Sequence, residues 1–98
     1  MDRAALEARW LTLTRDILPG LAGDRGWPVH QDHCFQRILL DNACGGRWYD
    51  FIVGRPAYRS AGPELLLRAV ELGEACIKGT EDLSALNRRS LDWRKSGG

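Results

Sequence analysis

Apolar residues recur at helical intervals along most of this chain. Over residues 2–18, Leu6, Trp10, Leu13 and Ile17 fall three and four apart, with Arg3, Glu7, Arg9, Arg15 and Asp16 off that stripe. The spacing predicts an amphipathic helix. Pro19 and Gly20 supply its expected stop, and residues 20–29, with Gly23, Gly26 and Pro28, read as a loop that lays Trp27 over the core as a lid. A second helix is expected from Gln31 or Asp32 through Phe35, Ile38, Leu39 and Asn42. It ends at Gly45 and Gly46, where a left-handed cap carries no steric cost. Its polar side carries His33, Arg37 and Asp41, four residues apart.

Residues 48–53 are aromatic and β-branched, so period alone leaves a short helix and a short strand both open there. Gly62 and Pro63 then open a third helix, Glu64 suits its first turn, and Leu66, Ala69, Val70, Gly73 and Ile77 make one apolar face. Gly79 ends it. Thr80 offers an N-cap oxygen to a last helix with Leu83, Leu86, Asn87 and Leu91 as its inner stripe, fading after Trp93. The fold class implied is mainly α, a small bundle of about four helices with an aromatic connector and little or no sheet. Residues 1–95 form one domain and residues 96–98 a frayed tail.

With 98 residues there is room for one hydrophobic core and not two, and 44% apolar against 28% charged residues describes a packed domain. No uninterrupted apolar run has the length of a membrane span or a secretory signal. Cys34, Cys44 and Cys76 are odd in number and never arranged as CxxC, which offers no disulfide framework. A reducing cytoplasm is the expected compartment. The net charge of +1 provides no global field for nucleic acid or an anionic membrane, so any such binding must be local.

Three local constellations carry candidate chemistry. His30, His33 and Cys34 are the tightest cluster of soft metal ligands, but structural zinc takes four, and a fourth is not evident; no metal and no cofactor is expected. Arg88, Arg89, Arg94 and Lys95 surround Trp93 at the end of the last helix, where cations could hold phosphates while the indole stacks on a base. The same cations would equally complement the helix dipole. The run of Arg47, Trp48 and Tyr49, and the later Tyr58 between Arg55 and Arg59, join arginine to aromatic rings in a turn-rich connector. Those residue types dominate protein interface hot spots.

The run Arg59, Ser60, Ala61, Gly62, Pro63 and Glu64, followed by a leucine-rich stretch, resembles the phosphate-cradling turn and helix of the GCN5-related N-acetyltransferases. The stretches DHCFQRILLDNA (32–43) and SLDWR (90–94) are similar to those of short bacterial proteins that carry that family's label. The resemblance implies acetyl-coenzyme A binding with Arg59 and Gly62 as cofactor contacts. Pro63 and Glu64 depart from the pattern, since one lacks the N–H that would face a pyrophosphate and the other adds a negative charge there. The reading that survives this weighing is a non-catalytic intracellular module acting through contacts with another protein or with its own copy. An acetyl-coenzyme A-dependent enzyme and a nucleic-acid-binding accessory protein are the alternatives.

Overall fold

The first apolar stripe changes phase part-way along its helix. In the computed structural model, which describes residues 2–97 save for the side chains of 96 and 97, the chain runs from α1 (Arg3–Thr12) through one π-helical turn (Leu13–Ile17) directly into α2 (Leu18–Arg25). The break expected at Pro19 and Gly20 is absent. A proline there should collide with the carbonyl four residues back and lacks an N–H to bond it. The π turn removes the conflict, because the Leu18 N–H reaches back five residues to the Leu13 carbonyl and Pro19 lands in the first turn of α2, where no N–H is needed. The extra residue also rotates the stripe. Leu18 and Ala22 are buried after the π turn, and Ile17 is only partly so. Thr14, fully buried, donates its hydroxyl to the Trp10 carbonyl at 2.9 Å and accepts from the Gln36 amide at 3.1 Å, so its polar atom stays satisfied inside.

Gly20 and Gly23 therefore lie inside a helix, not a loop, and a Cβ at either would meet nothing within 4 Å. Gly20→Ala and Gly23→Ala should each raise the unfolding free energy by about 0.5–1 kcal/mol, through lower unfolded-state entropy, read as an upward shift of the urea midpoint. A midpoint that falls would contradict this assignment of the segment. Beyond the Gly26 cap, Trp27 is buried as expected, with its ring edge-on to Phe35 at 5.9 Å between centroids.

The central element is α3 (Asp32–Cys44), which packs against α5, α6, the π turn and the connector. Being surrounded, it buries more than one stripe: Phe35, Ile38, Leu39, Leu40, Asp41 and Ala43 are all inside. Gly45 ends it at φ 75°. The connector settles into one 3₁₀ turn (Trp48–Asp50) and a single helical turn, α4 (Ala57–Ser60), with no strand among the described residues. Between them Gly54 sits at φ 113°, and a Cβ there would also come within 2.5 Å of the Ser60 hydroxyl. Then α5 (Pro63–Lys78) and α6 (Leu83–Gly97) complete an all-α bundle without a sheet.

On α6 the buried positions are Leu83, Leu86, Asn87 and Ser90, while Leu91, expected on the inner stripe, is 49% exposed. Seven residues return a helix almost to the same angle, so Ser90 and not Leu91 repeats Leu83. The helix also continues past Trp93 to Gly97; Gly98 lies outside the described residues. No described helix is long and apolar enough to cross a membrane.

Three arginines hold helix ends. Arg25 donates to the Cys76 and Ile77 carbonyls at the end of α5, Arg68 to the Ala43 carbonyl at the end of α3, and Arg3 to the Tyr58 and Arg59 carbonyls of α4. These carbonyls lie in the last turns of their helices, where the negative end of the dipole gathers, and all but that of Cys76, which also accepts from the Gly79 cap, lack a helical N–H partner. A forked guanidinium can take two adjacent ones at once, which a lysine ammonium does less well.

Candidate functional site

Asp41 is the polar centre of the molecule. Its side chain is completely buried, although it continues the polar series His33, Arg37, Asp41 along α3. One oxygen accepts from the Ser90 hydroxyl at 2.7 Å and from Arg94 Nε at 2.8 Å; the other accepts from Arg94 Nη2 at 3.2 Å and from the Trp48 backbone N–H at 2.9 Å. Ser90 in turn accepts from Arg37 at 2.7 Å, and Arg37 also donates to the Asn87 side-chain oxygen Oδ1 at 2.9 Å. A buried carboxylate is stable only when paired and saturated with donors, and Asp41 has both. The network fastens α6 to α3 and fixes where the connector leaves the core.

On that anchor stands a stack of rings and guanidiniums. The Trp48 and Tyr49 rings meet edge to face at 5.6 Å. Arg55 lies over Trp48 at 5.1 Å, Arg47 and Arg94 lie by Tyr49 at 5.5 and 5.2 Å, and Arg47 is held by Asp50 at 2.8 Å. Trp48 divides two hollows. One, about 260 Å³, lies towards α3 between Arg37, Leu40, Arg55 and Pro56; the other, about 540 Å³ and more open, is lined by Tyr49, Ile52 and Val53. Ile52 is buried, while Tyr49, Phe51 and Val53 are 44%, 59% and 94% exposed. Phe51 rests its ring on Gly46, where a Cβ would approach to 3.1 Å.

Nothing among protein-family models, curated proteins or solved structures matches this chain.

Of the residues singled out from sequence, Arg47, Trp48 and Tyr49 come together as one surface. Tyr58 is half-buried on α4, with Arg59 over its ring at 5.8 Å. Arg88 and Arg89 are exposed on α6 and Trp93 is half-buried, but Arg94, which would have joined them in a basic patch, is turned inward to Asp41. His30 and His33 are exposed and Cys34 half-buried; among the described residues no group of three or more His, Cys, Asp or Glu side chains is placed to hold a metal ion. Arg59 is exposed, and Gly62 is the extended N-cap of α5, preceded by the α4 turn.

Burial pushes the Cys44 thiol up to about 11 and the Cys76 thiol up to about 12, so neither is a thiolate nucleophile at neutral pH. Ser90 is buried, with its hydrogen on Asp41 and its lone pair on Arg37. Sequence reasoning put Arg94 in the basic patch and Arg37 and Asp41 on the polar side of α3, and joined none of them, nor Ser90, to the connector. The available signal was the pairing of two i, i+4 series, Arg37 with Asp41 on α3 and Ser90 with Arg94 on α6.

Proposed function

We propose that this protein is a non-catalytic helical module that works by contact with another protein, its own copy included, through the connector at residues 47–55. One observation carries the reading. Of the five large hydrophobic side chains left exposed among the described residues, three, Tyr49, Phe51 and Val53, stand within five positions of the chain. Scattered exposed apolar residues are ordinary, whereas a cluster of them beside arginine and tryptophan has the composition of an interface centre. The connector is also preorganised: the Trp48 N–H is pinned to Asp41 and Ile52 is buried, so little entropy remains to be lost on binding.

The test is a Phe51→Ser, Val53→Ser double variant. It should keep the wild-type thermal midpoint to within a few degrees, because both side chains face outward. If the partner is a second copy, light scattering at rising concentration should show association in the wild type and a monomer in the variant. If it is another protein, affinity capture should recover a discrete partner with the wild type and lose it with the variant. A wild type that stays monomeric, with no captured protein sensitive to the double variant, would exclude the connector as an interface. Saturable binding of acetyl-coenzyme A lost in Arg59→Ala, or of duplex DNA lost in Arg88→Ala, would replace this reading with the enzyme or the nucleic-acid alternative.

A further inference from the structure

We propose that the cleft between α3 and the connector receives an acidic side chain of the partner, with Arg37 and Arg55 on its carboxylate and the Trp48 ring against the chain beside it. The inference rests on the protein-contact reading above and names the chemistry of the partner.

Charge around the cleft does not balance from within the molecule. Asp41 supplies one negative charge, and it is taken up by Arg94. Arg37, half-buried, is held by the neutral oxygens of Ser90 and Asn87, and among the described residues it has no carboxylate in ion-pair contact. Arg55 is exposed, lies over Trp48, and has no ion pair among the described residues. Among the described residues no acid lines the cleft; Asp50 is held by Arg47, and Asp32 stays at the rim, against the backbone and ring of His33, which lines the cleft. A half-buried guanidinium without a counter-ion retains an unmet demand for one, and a fork beside an aromatic wall suits a carboxylate on an apolar stem. The space, about 260 Å³, is enough for one side chain and its neighbouring backbone but small for a nucleotide.

The probe is a terminally blocked tripeptide with glutamate between two leucines, titrated into isotope-labelled protein at constant ionic strength. Its glutamine counterpart, inorganic phosphate and a single-stranded oligonucleotide serve as the comparison arms. Saturable shifts of the Trp48 indole N–H and of the Arg37 and Arg55 Nε–H signals are expected with the glutamate peptide, and the glutamine peptide should bind about tenfold more weakly for want of charge-assisted hydrogen bonds. Arg55→Gln, which touches no folding contact beyond the Trp48 ring, should weaken the glutamate peptide by a similar factor without moving the thermal midpoint. Arg37→Lys should weaken it while keeping the charge, because the fork is lost. Equal binding of the two peptides, no effect of Arg55→Gln, or stronger binding of phosphate or oligonucleotide at the same signals would overturn the proposal. The two readings fail separately. Loss of association in the Phe51→Ser, Val53→Ser variant with no peptide binding sinks this inference alone, and peptide binding with unaltered association sinks the connector interface alone.

Discussion

Asp41→Ala is expected to lower the unfolding free energy by about 3–5 kcal/mol, a large share of the about 5–15 kcal/mol that holds a folded domain together. The substitution removes the acceptor for Ser90, for the Trp48 N–H and for both Arg94 contacts, and it leaves two guanidiniums facing each other across a hydroxyl. Part of the cost is recoverable, since Arg94 is 28% exposed and can turn to solvent once its partner is gone. A shape-filling replacement of the pair, Asp41→Leu with Arg94→Met, should therefore lie closer to the wild type than either single change. Urea unfolding followed by tryptophan fluorescence gives all four corners of the cycle. An Asp41→Ala midpoint within error of the wild type would mean that the network contributes nothing to stability.

Gly73→Val should cost about 3 kcal/mol, at the upper end of overpacking penalties, although valine is the better helix former. Gly73 lies on the buried face of α5, and a Cβ there would run into the Leu13 side chain and approach Leu39 Cδ1 to 3.1 Å. Both leucines are fully buried and cannot swing aside into solvent. Even Gly73→Ala should destabilise, in contrast to the stabilising alanines at Gly20 and Gly23, and the opposite signs can be read in one series of melts. A neutral Gly73→Val would show that α5 can slide away from the π turn without loss.

The helices with strong end signals were legible in the sequence. Gly62 and Pro63 at the start of α5, and Gly45 and Gly79 as C-caps, are local chemistry, and local chemistry decided those boundaries. What escaped was phase. Proline at position 19 normally stops a helix, and nothing in the residues themselves announces that a π turn one step earlier will accommodate it. Leu91 looked like core because it is apolar and at about the right spacing, yet Ser90 is the residue the helix returns to the inside. The polar network was invisible for a related reason. Asp41 reads as surface by residue type, and only the meeting of α3 with α6 makes it a hub. Arg47, Trp48 and Tyr49, by contrast, were grouped by composition alone, and they do share one surface.

The π turn makes the first helix tolerant of its own surplus. Between Leu13 and Leu18 the chain carries one residue more than a regular α-helix would use, and the wide turn absorbs it, so that Leu18 and Ala22 take the core side that Ile17 and Leu21 would hold in an uninterrupted helix. Removing one residue of this stretch, such as the exposed Arg15, would restore the regular repeat and leave Leu18 and Ala22 facing the core. Pro19, however, would then meet the carbonyl it now avoids. The surplus residue thus serves the proline and not the stripe: without it the packing would stay in phase, and the helix would have to break or kink at Pro19.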